Sequence, residues 1–126
     1  MNIAVVSRDF TTITGQTDHA RRFLIFKALP GQNLRLQQQL EMSADTPTLH
    51  QLHDDDSTQH PLDDMVLITA EASFDLKERL RTRGITLLIT SETDPANAVS
   101  MFLQRALPQL AATPDTGELR QKKRKR

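Results

Sequence analysis

The chain has 126 residues, of which 37% are hydrophobic and 25% are charged, and it contains no cysteine. This length allows one globular domain, and the lack of cysteine excludes disulfides and thiolate ligands for a metal or cluster. The sequence holds neither an apolar run of the roughly 18 residues that a membrane span needs nor a secretory signal after Met1. We therefore expect a cytoplasmic protein with no membrane partner.

The formal net charge of zero hides an asymmetry along the chain. Six of the sixteen basic residues lie within 120–126, which leaves ten basic against sixteen acidic residues in the rest. We predict a domain at 1–108 and a disordered basic tail at 109–126. The tail is interpreted as a solvated segment rather than a contact with nucleic acid or an acidic partner. The reason is that no basic or aromatic surface elsewhere supports such a contact.

The first part of the chain predicts three strands. The apolar run Asn2–Ser7 is typical of a buried strand, and Arg21–Leu29 alternates in the way a second strand would. The turn signal at Pro30-Gly31 predicts a hairpin to a third strand near a sheet edge. One face of that third strand is predicted to hold Leu34, Leu36, Gln38 and Leu40.

The second part predicts a strand–helix–strand–helix unit. Its elements are a strand at Met65–Ala70, a helix from an N-cap at Ser73 to Arg83 with Gly84 as C-cap, a strand at Ile85–Thr90, and a helix opening with Asp94 and Pro95. The last helix has an apolar stripe of Ala98, Val99, Phe102, Leu103 and Ala106. Two strands joined through a helix run parallel, so we predict an α/β fold with a mixed five-stranded sheet and flanking helices.

Three polar loops would meet at one sheet edge if the first strand is parallel to the fourth and fifth, and that edge is the usual binding place in open α/β sheets. These loops are Arg8–His19, Glu71–Ser73 and Ser91–Asp94. The helix N-termini at Ser73 and Asp94 favour an anion there, whereas Glu71 and Glu92 oppose one. Arg22 could reach such an anion, although a solvated strand face is the preferred interpretation.

A resemblance covers roughly residues 1–107. It rests on NIAVVS, ITGQTDHARRFLIF, His60-Pro61-Leu62 before a strand, and RGITLLITSETDPANAVSMFL. In this order of elements the chain resembles the dinitrogenase iron–molybdenum cofactor biosynthesis family. The family's first motif has a histidine, an aromatic or small residue, a glycine, an alanine two later and a phenylalanine three beyond. Those positions here hold Gln16, Thr17, Asp18, Ala20 and Phe23.

The resemblance implies a ribonuclease H-like fold and a non-enzymatic carrier or accessory protein. Such a carrier would bind the iron–molybdenum cofactor, or its iron–sulfur precursor, and would meet nitrogenase assembly proteins. The candidate residues for the cluster are Gln16, Asp18, His19, Ser73 and Ser91. The alternative is a protein-interaction module that kept the fold but lost cluster binding, and that uses the basic tail or the exposed third strand.

A divalent metal site is a further hypothesis. A short helix opened by Thr46-Pro47 would place His50 and His53 on one face, and His60 could add a third imidazole. A polar loop with solvated histidines explains the same residues. An enzyme is not expected, because no serine sits in a nucleophile elbow and strands one, four and five lack the carboxylates that a two-metal nuclease needs.

Overall fold

The computed structural model describes residues 1–28, 34–51, 59–107 and 109–112. They form one five-stranded mixed sheet and two α-helices, which confirms the predicted α/β class. The strands are β1 (Asn2–Val6), β2 (Arg22–Lys27), β3 (Arg35–Glu41), β4 (Val66–Thr69) and β5 (Thr86–Ile89). The helices are α1 (Phe74–Arg81) and α2 (Pro95–Leu103), and a short 3₁₀ helix covers Thr17–His19.

The direction of β2 decides what gathers at each end of the sheet. The strand order is β3-β2-β1-β4-β5, with β1, β4 and β5 parallel and β2 antiparallel to both of its neighbours. The predicted hairpin of the second and third strands and the predicted parallel pair joined by a helix are both confirmed. Because β2 runs against β1, its first residue, Arg22, lies at the edge where β1, β4 and β5 end.

Each face of the sheet packs against one helix. Leu76 and Leu80 of α1 join one apolar layer, and Ala98 and Val99 of α2 join the other. Successive side chains of β1 and β2 enter the two layers alternately, as expected for strands buried on both faces. Burial of a leucine such as Leu76, which is 0% exposed, contributes about 1.5–3 kcal/mol, so these layers are the main source of stability.

The edge strand β3 contains a β-bulge. Its pairing with β2 is interrupted between Ile25 and Phe26, and Gln37 is the extra residue. Leu34, before the bulge, packs with the α2 layer, whereas Leu40, beyond it, packs with the α1 layer. The predicted common face of positions 34, 36, 38 and 40 is therefore wrong, because one extra residue reverses the alternation.

Helix α1 begins as predicted and ends early. The Ser73 hydroxyl accepts a hydrogen bond from the Leu76 N–H at 3.1 Å, which satisfies an otherwise unpaired donor of the first turn. The helix stops at Arg81 rather than at the predicted Arg83. Gly84 then adopts a φ of 76°, a left-handed conformation that turns the chain into β5.

Helix α2 also has the predicted start. The Asp94 carboxylate accepts a hydrogen bond from the Asn97 N–H at 2.7 Å, and Pro95 occupies the first turn. The helix ends at Leu103, which is 43% exposed. The predicted apolar stripe is therefore too long: its fully buried members are Ala98 and Val99, Phe102 is half-buried, and Ala106 is exposed beyond the helix.

Turns replace the short helix expected from Thr46-Pro47, so that prediction is wrong over the described residues of this segment, 43–51. The Arg21 guanidinium donates hydrogen bonds to the Ser43 and Thr46 carbonyls, and Leu49 is 0% exposed in the α1 layer. Carbonyls occupied in this way favour a fixed loop over a helical turn. His53 lies outside the described residues.

The chain after α2 continues to contact the sheet. The Leu110 N–H donates to the Ile89 carbonyl at 2.7 Å, and Ala112 packs against the α1 layer. The packed part of the chain thus reaches beyond the predicted boundary at 108, while residues 113–126 of the predicted tail at 109–126 lie outside the described residues. None of the helices in the described ranges is long and apolar enough to cross a membrane.

Candidate functional site

The loop between β1 and β2 is bonded to the ends of two parallel strands. The Thr14 N–H donates to the Val6 carbonyl at 2.9 Å, and the Thr14 carbonyl accepts from the Ala70 N–H at 3.1 Å. The Thr14 hydroxyl accepts from the Arg8 N–H at 3.0 Å. Thr14 therefore fills the space just beyond the last pairs of β1 and β4, and fixes the residues that follow it.

A compact turn precedes this point. The Asp9 carboxylate accepts hydrogen bonds from the N–H groups of Thr12 and Thr11, at 2.8 and 2.9 Å. These bonds, that of Thr12 first, hold the pKa of Asp9 well below its usual range. The Ser7 hydroxyl donates to the Thr12 carbonyl at 2.6 Å. The first half of the loop is thus held in place by hydrogen bonds among its own residues.

The second half of the loop turns at Gln16, whose φ of 54° and ψ of 46° are left-handed. The 3₁₀ helix that follows is anchored by the buried Thr17 hydroxyl, which lies 2.6 Å from the Thr69 hydroxyl and 2.6 Å from the Glu71 carbonyl. A left-handed non-glycine residue is uncommon and is often found at functional sites. The anchor fixes the positions of Gln16 and His19.

A cavity of about 230 Å³ lies between this loop and the start of β2. We name it the arginine cavity. Its lining includes three arginines, one histidine and one glutamine, together with residues at the end of β1. The lining residues are Val6, Arg8, Thr14, Gly15, Gln16, His19, Ala20, Arg21 and Arg22.

The three arginines of the cavity are held to different degrees. Arg21 is fixed by the two loop carbonyls that it bonds, whereas Arg8 donates to the Gln16 side-chain carbonyl. Arg22 donates to the Arg8 carbonyl at 3.1 Å and lies 3.5 Å from the Glu41 carboxylate. The Arg22 guanidinium also lies 5.7 Å from the centre of the Phe10 ring. Arg8 and Arg22 are exposed, so their charged ends are accessible.

A second depression of about 340 Å³ adjoins the same loop, towards the end of β4. It shares Arg8, Thr14, Gly15 and Gln16 with the arginine cavity but adds Glu71, whose carboxylate accepts from the Gln16 N–H at 3.3 Å. Gly15 lines both spaces, and a Cβ there would lie 2.5 Å from the Glu71 Cγ. The acidic side chain favours anion binding in the arginine cavity rather than here.

Three of the predicted polar residues lie close together. The His19 and His50 rings have centroids 5.0 Å apart, and the His50 Nδ1 lies 3.9 Å from an Asp18 carboxylate oxygen. The His50 N–H also donates to the Asp18 carbonyl at 2.8 Å. Of these three, His19 alone lines the arginine cavity. His50 therefore supports His19 from the neighbouring loop.

His60 is buried, with 5% exposure, and both of its ring nitrogens are hydrogen-bonded. Nδ1 accepts from the Leu62 N–H at 3.2 Å, so Nε2 carries the proton and donates to the Pro47 carbonyl at 3.0 Å. Burial lowers the pKa of this imidazole below its usual value. A metal at His60 would have to displace one of these bonds.

The predicted metal site has an incomplete set of donors in the part of the chain that the structure describes. No group of three or more histidine, aspartate or glutamate side chains there could hold a metal ion. His50 contacts His19 instead, and His60 has a structural role. The prediction therefore depends on His53, which is outside the described residues.

The two predicted serines have separate positions at the same edge. Ser73 is half-buried and caps α1, and Ser91 is exposed just after β5. Beside Ser91, the Glu92 carboxylate accepts from the Asp94 and Thr93 N–H groups, and these bonds, that of Asp94 first, lower the pKa of Glu92. This stable negative charge disfavours an anion at the start of α2.

The sequence predicted that Gln16 and His19 lie at this end of the sheet, but it did not identify the arginines there as part of a site. Arg8 was not singled out, and Arg22 was assigned to a solvated strand face. The missed signal was the direction of β2: a strand that returns antiparallel beside β1 brings the residues before it, Arg21 and Arg22, to the edge where β1 ends.

Comparisons of this chain with protein-family models, with curated proteins and with solved structures found no match.

Proposed function

We propose that this chain is a non-enzymatic carrier that binds a metal–sulfur cofactor, or its iron–sulfur precursor, in the arginine cavity. The observation that carries the proposal is the composition of that cavity. His19 and Gln16 line it together with three arginines, two of which, Arg8 and Arg22, are exposed. The cargo would be of the kind handled in nitrogenase assembly, as the resemblance implies, and assembly proteins would be the partners.

The sheet supports the finer fold assignment in this proposal. A mixed five-stranded sheet with one helix on each face and only β2 running against the other strands is consistent with a ribonuclease H-like arrangement. The loops that would hold the cargo leave β1, β4 and β5 at a single edge, which is the general binding place of open α/β sheets.

The chemistry of the cavity suits an anionic cargo with few protein ligands. Sulfide-containing iron clusters commonly carry net negative charge, which guanidinium groups offset without coordinating the metal. His19 is the available imidazole ligand in the cavity, because the chain has no cysteine and Gln16 occupies the position of the family's histidine. The site would thus hold its cargo through charge and one coordinate bond.

Anaerobic incubation with an iron–sulfur cofactor precursor tests the proposal. Metal analysis and visible absorption are expected to give stoichiometric coloured protein for the wild type and a marked loss for His19→Ala. His50→Ala is the matched control, because His50 contacts His19 but does not line the cavity. Colourless wild-type protein would refute a carrier role, and equal losses in both variants would move the ligand to the histidine pair.

A protein-interaction module is the second candidate, and the observation in its favour is the free edge of β3. Leu36 is 47% exposed on this edge, where no further strand of the described chain pairs. A partner would cover this side chain. Capture experiments with wild type and Leu36→Glu test the idea: a partner that binds both equally well does not use β3.

A further inference from the structure

We propose that the arginine cavity is a site for a small oxyanion, either a phosphate or a carboxylate group, recognised by Arg8 and Arg22. This inference goes beyond the carrier role, because it needs no metal and no coordinate bond. It rests on the placement of three arginines around one cavity and on the hydrogen-bond donors that they retain.

The donors of the two exposed arginines are only partly used. Arg8 donates through Nη2 to the Gln16 side chain, and Arg22 donates through Nη1 to the Arg8 carbonyl. No bond to Nε or Nη1 of Arg8, or to Nε of Arg22, joins them to the rest of the described chain. A guanidinium presents five N–H groups in a planar fork that matches two oxygens of a phosphate or carboxylate. Both side chains can therefore bind a ligand while keeping their present bonds.

Arg21 has a different part in the site. Its Nη1 donates to the Ser43 and Thr46 carbonyls, which fixes the guanidinium against the loop after β3. Arg21 therefore lines the cavity as a fixed residue, whereas Arg8 and Arg22 supply the exposed charged groups that can reach a ligand.

The charge balance around the cavity favours an anion. Glu41 is the acidic group paired with a cavity arginine, at 3.5 Å from Arg22, and its side chain is 61% exposed. Such an exposed pair is worth at most about 1 kcal/mol and is readily exchanged for a ligand. Glu71 lines the adjoining depression, where its carboxylate accepts from the Gln16 N–H. Three arginines therefore line the cavity, against the weakly held Glu41 and the Glu71 carboxylate beside Gln16.

The size of the cavity limits the ligand. Sites for drug-sized molecules have volumes of about 300–1,000 Å³, whereas this cavity measures about 230 Å³. It suits a single oxyanion group with a few attached atoms. A larger ligand, the metal–sulfur cargo of the proposed carrier role included, would occupy the cavity only in part and extend past Arg8 towards the adjoining depression.

Calorimetric titration of the full chain, free of iron, with inorganic phosphate and with citrate tests the inference. Chloride at equal ionic strength is the reference for both probes. The wild type is expected to show saturable binding of at least one probe. Arg8→Gln and Arg22→Gln are each expected to weaken it about tenfold, since a charge-assisted hydrogen bond is lost. Binding of one probe alone identifies the oxyanion class.

Arg35→Gln is the matched control. Arg35 is exposed and lies opposite Lys27, at the far end of β2 from Arg22, about 17 Å away at roughly 3.4 Å per residue. Its removal changes the net charge equally but leaves the cavity intact. Equal weakening in Arg35→Gln would reduce the effect to general charge and overturn the inference, as would the absence of saturable binding of both probes to the wild type. Melting curves establish that each variant is folded.

The two proposals fail separately. Wild-type protein that binds an oxyanion but stays colourless in the cofactor experiment keeps this inference and refutes the carrier role. Coloured protein that binds neither probe refutes this inference and keeps the carrier role. Chemical shifts of the His19 and Ala20 amides during titration locate the ligand independently, because both residues line the cavity and neither is among the lining residues of the adjoining depression.

Discussion

The two ends of the parallel strands use charge in opposite ways. Where β4 and β5 begin, Arg83 has a side chain only 7% exposed and donates to both carboxylate oxygens of Asp63, at 2.9 and 3.1 Å. Where β1 and β4 end, Arg8 and Arg22 are exposed around a cavity with little opposing charge. At the first end the charges stabilise the fold, whereas at the second end they are accessible to the proposed ligand. Substitutions at the first should alter stability, and substitutions at the second should alter binding.

We call the end with the Arg83–Asp63 ion pair, where β4 and β5 begin, the closed end, and the end where β1 and β4 stop the open end. The largest expected effect comes from breaking the ion pair at the closed end with Asp63→Ala. This change removes the carboxylate that accepts two hydrogen bonds from the mostly buried Arg83 and one from the His60 backbone N–H, so we expect a loss of about 2–3 kcal/mol in the free energy of unfolding. Urea denaturation measures it. Asp75→Ala is the control, because its pair with Arg79 is exposed and worth about 0.5 kcal/mol or less. Similar losses in both variants would contradict the distinction.

Two of the four glycines, Gly84 and Gly15, sharpen the comparison, one at each end. Gly84→Ala is expected to cost about 1–2 kcal/mol of stability, because φ is 76° and the new Cβ would lie 2.2 Å from the Asp64 Oδ1. Gly15→Ala instead meets the exposed Glu71 side chain, which can swing away. We expect little loss of stability there but altered oxyanion binding. Denaturation and titration of both variants separate the two effects.

A double variant provides the control for the second glycine. Gly15→Ala combined with Glu71→Ala removes the side chain that the new Cβ would meet at 2.5 Å. Oxyanion binding is then expected to return towards the wild-type value. A defect that persists in the double variant would mean that Gly15 acts through its backbone.

The closed end should also respond to pH through His60. Burial holds the pKa of this imidazole in the folded state below its usual 6.5, so the unfolded chain takes up a proton at a higher pH than the folded chain does. The contribution of His60 to stability is therefore fully present above pH 6.5 and is lost as the pH falls from there through the folded-state pKa. Denaturation at a series of pH values is expected to show this decline in wild type and in His19→Ala, and a weaker one in His60→Gln. An unchanged decline in His60→Gln would assign it to another group.

The smallest stability effect is expected at the open end. Arg8→Gln removes an exposed charge from a cluster of like charges, so its unfolding free energy should stay within about 0.5 kcal/mol of the wild type. Denaturation without added phosphate measures this. A loss of stability as large as that of Asp63→Ala would show that Arg8 supports the fold. It would contradict the inference that charges at the two ends have different roles.

Local signals in the sequence were sufficient for most of the fold. The caps at Ser73 and Asp94 identified both helix starts, because a side-chain acceptor followed by an apolar periodicity needs no tertiary information. The bulge at Gln37 and the early end of α2 at Leu103 were not predictable in this way. Both depend on how an element meets its neighbours, and the periodicity of each segment continues through them.

The candidate site was half predictable for a related reason. Gln16 and His19 belong to a loop that had to leave β1 at the sheet edge, so their location followed from the strand itself. Arg21 and Arg22 precede a strand, and their location depends on the direction in which that strand runs beside β1. Strand direction is a non-local property, which a pattern of alternating residues does not encode.

The bulge in β3 bears on the tendency of the protein to aggregate at high concentration. An uninterrupted edge strand offers a template on which further copies can add, and thereby invites aggregation. Gln37 interrupts the β3 ladder, which leaves Gln38–Glu41 as its longest regular stretch. The opposite edge, β5, is capped at its end by the bond from Leu110 to Ile89. Both margins of the sheet thus differ from an uninterrupted template, and deletion of Gln37 is expected to make β3 a more regular one.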